Sequence, residues 1–311
     1  MTIKVAILSA AFQLFLQQLL NGLTIGMVYA LIALGYTMVY GVIQLINFAH
    51  GEVFMVVAYL ALTVITVALF VWPGAPFVIV LVLLFVISML GASLLGAVIE
   101  KVAYKPLRGT SKLTALITSI GVSFFLQNAV MLLYGSKEQS LPEIIPNTQF
   151  RFHQVSFSLM QFIIFSTSIG LMFFLTWFVK NTKLGKAMRA SAENTEAAQL
   201  VGISVNRIVR VTFMMGSALA AVGGALFGMY YGSVNFHDGY LAGLKAFTAA
   251  VFGGIGSIPG AMIGGILLGV FEGLGAAYIS SEWKDVFAFI LLGIVLICKP
   301  SGIMGENLPD Y

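Results

Sequence analysis

The sequence predicts an all-α protein, a polytopic bundle of eight to ten membrane-spanning helices. Hydrophobic residues make up 59% of the 311-residue chain and charged residues only 9%, against about 25% charged in soluble proteins. Apolar runs of about 18 residues or more recur, and each is long enough to cross a hydrocarbon core of about 30 Å as a helix. The runs are continuous rather than alternating with period two, so helices are favoured over a membrane β-barrel.

The predicted spans follow these runs, and together they form a single transmembrane domain over residues 1–311. The region 243–279 is too long for one ordinary span, and its GGIGSIPG segment contains Pro259, which disfavours helix. We interpret this region either as two spans or as a pair of half-helices. The spans are 5–20, 22–45, 53–72, 77–99, 113–134, 157–179, 210–231, the region 243–279, and 285–299.

Basic residues are concentrated in two loops, and this predicts the orientation of the chain. Loop 100–112 carries four basic residues and one acidic residue, and loop 180–210 carries six basic and two acidic residues. Loops 135–156, 232–242 and 280–285 have no such excess. Because loops rich in Lys and Arg stay on the cytoplasmic side, the two basic loops are predicted to be cytoplasmic and the other three external. Both termini are then expected to be cytoplasmic.

Glycines spaced four residues apart predict close packing between helices. On a helix, small residues at this spacing form a groove that lets a second backbone approach closely. Internal helix packing is the favoured interpretation, and a share in lining a pathway or a dimer seam is the alternative. The glycines predicted to pack helices are Gly224, Gly228, Gly256, Gly260 and Gly264.

The loop 180–210 is the longest stretch too polar for lipid, and it is predicted to form two short helices. The sequence KLGKAMRASAEN, which follows Thr182, suits the first helix. The second would have Asn194 as N-cap, Glu196 in its first turn and Gly202 as its C-terminal glycine. A helix of about two turns is marginal alone in water, so a groove on a partner protein would stabilise it. A solvated basic loop is the alternative.

The same stretch carries a motif. Glu196-Ala197-Ala198, followed by three residues and then Gly202, resembles the EAA motif of permease subunits of ABC importers, which forms the helix that docks into the ATP-binding subunits. The Ile and Leu-Pro pair that complete the family's pattern are not found at the expected spacing, so this version is divergent. The resemblance assigns coupling to the ATPase to Glu196, Ala197, Ala198, Gly202 and Arg189.

Four further blocks are distributed along the chain. They are YALIALGYTMVYGVIQLINFAHGE (Tyr29–Glu52), EKVAYKPLR (Glu100–Arg108), LITSIGVSFFLQN (Leu116–Asn128) and KAFTAAVFGGIGSIPGAMIGG (Lys245–Gly265). They resemble the permeases of high-affinity branched-chain amino acid ABC importers, the leucine-isoleucine-valine systems. The resemblance implies a permease-type bundle that moves these amino acids across the bacterial inner membrane by alternating access. A permease of the same family for urea, amides or other amino acids is the first alternative, and an autonomous channel or carrier is the second.

The resemblance also implies the partners. They are a second, related permease that completes a heterodimer, two cytoplasmic ATP-binding subunits and a periplasmic amino-acid-binding protein, with no role for nucleic acid. A homodimer is the alternative to the heterodimer. The sequence contains no G-x-x-x-x-G-K-[ST] motif, so it cannot cradle ATP itself. The chain is therefore predicted to be a transport subunit rather than an enzyme, without a cofactor, while its partners bind ATP.

Four polar residues within apolar sequence are candidates for the translocation pathway. Charged residues within a membrane cost about 2.5–3.5 kcal/mol on insertion scales and indicate functional sites by default. For the INFAHGE segment, a structural cap and helix break is the alternative, and one His with one Glu are too few ligands for a metal site. The fourth candidate, in the last Gly-rich span, is interpreted as a partner of Lys245. The candidates are Asn47, His50, Glu52 and Glu272.

Overall fold

The computed structural model of the chain describes residues 2–152, 155–299 and 301–305, and it gives their side chains from residue 11 onward except that of residue 152. Seven helices in this described part are long and apolar enough to cross a membrane, which confirms the prediction of an all-α polytopic bundle. The α-helices are α1 (Thr2–Ile43), α2 (Ala49–Val71), α3 (Phe77–Ile99), α4 (Lys112–Tyr134), α5 (Leu159–Asn181), α6 (Lys183–Glu193), α7 (Thr195–Leu200), α8 (Val205–Tyr231), α9 (Asp238–Gly253), α10 (Ile258–Tyr278) and α11 (Lys284–Cys298).

Shorter elements continue or connect these helices. A π-helical turn and a 3-10 turn follow α3, and a second 3-10 turn precedes α11; they are Glu100–Tyr104, Lys105–Leu107 and Ser281–Trp283. Two antiparallel pairs of short strands occur in the loops, β1 with β4 and β2 with β3. The strands are β1 (Gln139–Ser140), β2 (Gln149–Phe152), β3 (Val155–Ser158) and β4 (Ser233–Val234).

The central helix is α1, which replaces two of the predicted spans. The prediction of separate spans at 5–20 and 22–45 is wrong, since α1 runs through both without a break. Its polar residues do not form a loop because they find partners within the fold. The Gln17 amide donates to the Ser156 carbonyl at 3.1 Å and accepts from the Ser156 N–H at 2.8 Å. One turn further on, Gly22 lies against the backbone of α10.

The loops divide between the two ends of the bundle. The two basic loops meet at one end, where Arg108 donates to the Asn206 side chain, and β1 pairs with β4 at the other end. This agrees with the predicted grouping of the loops. The contact between Gln17 and Ser156 places the N-terminal half of α1 beside β3, at the end opposite the basic loops. The sequence analysis expected both termini at the basic end because it counted two crossings where one continuous helix runs. The orientation of the termini stays a prediction.

The region 243–279 folds as an antiparallel helix pair. The first helix, α9, begins at Asp238, before the predicted region, and residues 254–257 separate it from α10. Glycines let the two backbones touch: Gly260 lies against Gly253, and Gly264 lies against Ala249. With 16 residues, α9 is about 24 Å long at 1.5 Å per residue, shorter than the hydrocarbon core.

Of the five predicted packing glycines, four lie at close contacts and one does not. Gly224 lies against the backbone of Phe54 in α2, and Gly228 lies against the side chains of Leu141 and Val234. The assignment of Gly256 to helix packing is wrong, because this residue lies in the turn before α10 and a Cβ there would meet nothing within 4 Å. Its φ of +96° shows that the turn, rather than packing, requires glycine.

The outer helices of the bundle are α3, α4 and α5, whose apolar windows are mostly exposed. On α4, for example, Phe125 is 70% exposed and Leu132 is 81% exposed. Such an apolar surface needs lipid or a partner to cover it, and the chain is a multi-pass membrane protein. Helix α8, which follows the coupling segment, begins at Val205 rather than at the predicted residue 210.

Candidate functional site

The predicted coupling segment consists of the two short helices α6 and α7. The Asn194 side chain caps α7: its Oδ1 accepts hydrogen bonds from the backbone N–H groups of Glu196, at 3.0 Å, and Ala197, at 2.9 Å. Glu196 lies in the first turn of α7, where the helix dipole favours an anion. Both features match the helix start that the sequence predicted.

Helix α7 ends just before Gly202, the C-terminal glycine that the sequence predicted. This residue has a φ of +84°, a left-handed conformation that favours glycine. Its N–H donates to the Gln199 carbonyl at 3.0 Å, and the next N–H, from Ile203, donates to the Ala198 carbonyl at 3.0 Å. These bonds satisfy carbonyls at the end of α7 and turn the chain towards α8.

The end of α7 exposes apolar side chains in an otherwise basic loop. Leu200 is 89% exposed and Val201 is 77% exposed, whereas Ala198 is only 3% exposed. Arg189, on α6, is also exposed, and its guanidinium reaches the Lys180 carbonyl at 3.4 Å. The segment therefore presents a small apolar surface beside positive charge, but contact of its five predicted coupling residues with an ATPase stays a prediction.

A buried carboxylate at Glu100 links the two basic loops. Glu100 is completely buried, and it forms ion pairs with Arg108 and, at 3.4 Å, with Arg210 near the start of α8. Arg108 also donates to Asn206. Partial burial lowers the pKa of the Arg108 guanidinium, and the neighbouring Glu100 charge offsets only part of this lowering. The sequence analysis did not assign Glu100 a role, although a single acidic residue in a basic loop was a usable signal.

Asn47 and His50 are buried at the turn that starts α2. The Asn47 Oδ1 accepts from the Tyr104 hydroxyl at 2.9 Å, and its carbonyl accepts from the His50 N–H at 3.1 Å. The His50 ring packs edge-on against Tyr36, with ring centroids 4.7 Å apart, and lies over Gly35, where no Cβ would fit. These contacts are those of a packed helix start. They agree with a structural cap and helix break, which was the alternative to a role in the translocation pathway.

Glu52, in the first turn of α2, is 1% exposed. Its Oε1 accepts from the Ser123 hydroxyl of α4 at 3.1 Å. Its Oε2 lies beside Gly239 in the first turn of α9, and it has no hydrogen-bond partner among the residues that the structure describes. The positive end of the α9 dipole favours the charged carboxylate at this position.

Glu272 lies in a separate cluster between α9, α10 and α11. Its Oε1 is 2.7 Å from the Lys245 ammonium, which confirms the predicted pairing. The same ammonium is 2.6 Å from Asp285 Oδ1 and 3.3 Å from the Tyr29 hydroxyl. The four pathway candidates are thus divided between two places, since these contacts include none of the three candidates at the start of α2.

A cavity of about 270 Å³ adjoins Glu52 and its partner Ser123, here called the Glu52 cluster. It lies between α1, α4, α9 and the turn before α2. Its walls are mainly aromatic and apolar, and they include Tyr36, Phe48, Ser123, Phe124 and Tyr240. The sequence analysis missed Ser123 and Tyr36. For Ser123 a signal existed, because Ser119 and Ser123 lie four residues apart and are both buried on one face of α4.

A second cavity, of about 300 Å³, lies at the end of the bundle opposite the basic loops. It is formed by the chain between Leu141 and Thr148, by the start of α5 and by the end of α8. Glu143, Asn147 and Tyr230 give it a more polar lining than that of the first cavity.

The chain is similar to known transport proteins over nearly its whole length. Residues 18–296 match the family model described as branched-chain amino acid transport system / permease component. The chain is 50% identical over 297 residues to the high-affinity branched-chain amino acid transport system permease protein BraD of Pseudomonas aeruginosa, covering 94% of this chain and 96% of that protein. It is 47% identical over 303 residues to the corresponding protein LivH of Escherichia coli, covering 96% and 98%. Against LivH of Salmonella typhimurium it is 46% identical over 304 residues, with the same coverage. No solved structure matches the chain.

Proposed function

The chain belongs to the family of branched-chain amino acid transport system permease components, and from this membership we propose that it is the permease subunit of an ATP-driven importer for leucine, isoleucine and valine. The observation that carries the proposal is the extent of the family match, which covers residues 18–296. That range includes the membrane helices, the coupling segment and the Glu52 and Glu272 clusters, so the likeness is not confined to general hydrophobicity.

The energy for transport comes from partner subunits. Permeases of such systems act with ATPase and binding-protein subunits, and we assign two ATP-binding subunits and a second, related permease to this one. The ATPase docks on the exposed end of α7, where Leu200 and Val201 enter a groove. Because only residues 201–204 separate α7 from α8, movement of α7 reaches α8 directly. The ion pair between Glu100 and Arg210 carries the same movement to the end of α3.

The basic loops face the cytoplasm of a bacterium, and the chain lies in the inner membrane. The N-terminal end of α1 is then external, because Gln17 lies beside Ser156 in an external loop. The C-terminal residues 301–305 are cytoplasmic, since Ile303 and Met304 donate to the carbonyls that end α9. The external loops joined by β1 and β4, with the polar cavity beside them, receive the substrate-loaded binding protein.

The scarcity of charge in the bundle suits the substrate class. Branched-chain amino acids are zwitterions with apolar side chains, so their pathway needs few fixed charges. Close glycine contacts such as those of Gly224 and Gly264 permit small sliding movements between helices, which alternating access requires. Urea or amides as substrates would replace the apolar side chain by polar groups, so competition experiments separate these alternatives.

The test is uptake of labelled leucine by proteoliposomes that contain the complete complex. We expect uptake that depends on ATP and on the binding protein. Unlabelled isoleucine and valine should compete with labelled leucine for uptake, whereas urea and acetamide should not. Glu196→Ala and Gly202→Val should each lower uptake while the chain still inserts into the membrane. Uptake by proteoliposomes that hold this chain alone, without ATPase subunits, would overturn the proposal in favour of an autonomous carrier.

A further inference from the structure

We propose that the cavity between α1, α4 and α9 is the subsite that holds the side chain of the transported amino acid, with Ser123 and Glu52 at its polar end. This inference rests on the proposed function and adds the place of binding to it. The cavity volume of about 270 Å³ lies just below the range of about 300–1,000 Å³ typical of pockets for drug-sized ligands. A cavity slightly smaller than a drug-sized pocket suits a single small amino acid.

The walls of the cavity suit an apolar side chain. Phe48, Phe124, Tyr240 and Leu244 supply aromatic and aliphatic surface, and ligand pockets are mostly apolar with a few placed polar groups. Phe124 is 55% exposed and Tyr240 is 52% exposed, so the cavity is accessible between α4 and α9. An apolar ligand that enters there would cover both rings.

The polar end of the cavity suits an ammonium group. The Ser123 hydroxyl uses its one proton in the hydrogen bond to Glu52, which leaves its oxygen lone pairs available to accept from a ligand. A cation at Ser123 would favour the ionised form of the buried Glu52 carboxyl, whose negative charge bulk water cannot screen there. A substrate ammonium at Ser123 would therefore be attracted by Glu52 as well.

A donor for the substrate carboxylate is present on α1. The Tyr36 hydroxyl is buried and has no hydrogen-bond partner within the described part of the chain. It lies against Gly243, another wall residue, because a Cβ at that glycine would be 3.2 Å from it. Tyr36 also lines the cavity. Buried polar groups without partners are rare in folded proteins, and a ligand carboxylate would satisfy this one.

An aromatic cluster closes the cavity towards the basic end of the bundle. Phe247 packs between Tyr36 and Phe48, with ring centroids 6.2 Å and 5.8 Å away. A crevice of about 10 Å³ lies beyond these rings, and Tyr36, Asn47 and Phe247 help to line it. A substrate in the cavity would thus be separated from the cytoplasmic side by three aromatic rings, which must part before release.

The subsite is tested by equilibrium binding of labelled leucine to the purified complete complex in detergent, without the binding protein. Phe124→Ala enlarges the cavity, so we expect the preference for leucine over phenylalanine to fall about tenfold. Ile120 also lines the cavity from α4, and Ile120→Trp fills it, so leucine binding should be lost while alanine binding is retained. Phe125→Ala is the matched control, because Phe125 is 70% exposed on the same helix and does not line the cavity.

The polar end needs its own readout. Glu52→Gln and Ser123→Ala should each weaken leucine binding about tenfold, while binding of 4-methylpentanoate, which lacks the ammonium group, should stay as in the wild type. Unchanged ratios among leucine, alanine and phenylalanine in the cavity variants would overturn the inference, even if Phe124→Ala alone fails to fold, because Ile120→Trp tests the same volume. Failure of the proposed function looks different: the wild-type complex would then neither bind leucine nor import it with ATP.

Discussion

The ammonium group of Lys245 lies 2.7 Å from Oε1 of Glu272, inside the helix bundle. Asp285 contacts the same ammonium at 2.6 Å, so one cation joins residues of α9, α10 and α11. Two of these helices, α9 and α11, have only 16 and 15 residues, too few to span a hydrocarbon core of about 30 Å. The ion cluster therefore fixes short helices that lipid contact alone would position poorly.

Loss of the central cation should destabilise the protein strongly. Lys245→Met leaves Glu272 buried without its partner, and removing one member of a buried pair costs about 3–5 kcal/mol. We expect a lower thermal denaturation midpoint for the purified complex, followed by size-exclusion chromatography after heating. Lys284→Met is the control, because Lys284 is exposed and close in sequence to Asp285. Equal midpoints for the two variants would contradict the bracing role.

The double variant Lys245→Met with Glu272→Leu tests whether Glu272 acts only as the partner of Lys245. Replacing a buried ion pair by apolar residues is often neutral or stabilising, so the midpoint should recover most of what the single variant lost. If the double variant is less stable than Lys245→Met alone, Glu272 has a role other than neutralising Lys245.

Much of the fold could be predicted from the sequence because hydrocarbon imposes strict rules on apolar segments. The grouping of the loops, the antiparallel break near Pro259 and both ends of α7 followed from charge, proline and capping residues. The prediction of two spans in place of α1 failed for a specific reason. Asn21 falls at the predicted boundary between the two spans, but in the fold it accepts a hydrogen bond from Gln161, and Gln17 bonds to Ser156. Such distant partners are not visible in sequence.

The candidate sites were predicted less completely, because they depend on contacts between helices. Polar residues within apolar sequence indicated Glu52 and Glu272 as candidates. The cavity beside Glu52 was not predicted, since its walls come from four separate segments and most of them are ordinary apolar residues. Gly256 shows the converse error: its spacing suggested packing, but helix α10 begins only at Ile258.

The exposed apolar end of α7 should be needed for coupling to the ATPase. Replacing both Leu200 and Val201 by serine removes apolar surface that is exposed in the isolated chain and that a partner groove would bury. We expect weaker capture of the ATPase subunits in pull-down experiments and ATP-driven leucine uptake at least fivefold lower. Replacing Leu132 and Leu133, exposed on α4, by alanine is the control. Normal capture by the serine variant would place the ATPase contact elsewhere.

The left-handed turn at Gly202 gives a graded test of the coupling segment. With a φ of +84°, a β-branched residue is strained there, and the left-handed region costs about 1–2 kcal/mol for most L-residues. Gly202→Val should therefore lower leucine uptake, whereas Gly202→Asn should retain most of it, because asparagine tolerates this conformation. Equal uptake by the two variants would show that the turn geometry does not matter for coupling.

The contact between α8 and α2 should tolerate no side chain at Gly224. A Cβ at this position would meet the Phe54 carbonyl oxygen, and overpacking of this kind typically costs about 1–3 kcal/mol. Gly224→Ala should lower the thermal denaturation midpoint of the complex. Gly121→Ala on α4 is the matched control, since a Cβ there would meet nothing within 4 Å. A midpoint for Gly224→Ala that equals that of the control would show that α2 and α8 can separate freely at this contact.

The Glu100 cluster should matter for transmission more than for ATP hydrolysis. Glu100 ties Arg210, at the base of α8, to Arg108 in the other basic loop, so a movement of α7 and α8 is passed to α3 through it. Glu100→Gln keeps the size of the side chain but removes its charge, which weakens both ion pairs. We expect the complex to hydrolyse ATP at near the wild-type rate while it imports several-fold less leucine per ATP. Glu138→Gln, at the opposite end of the bundle where Glu138 accepts from Ser233, should leave this ratio unchanged. An unchanged ratio for Glu100→Gln as well would limit Glu100 to a structural role, because a carboxylate that only holds the loops together would alter stability without altering stoichiometry.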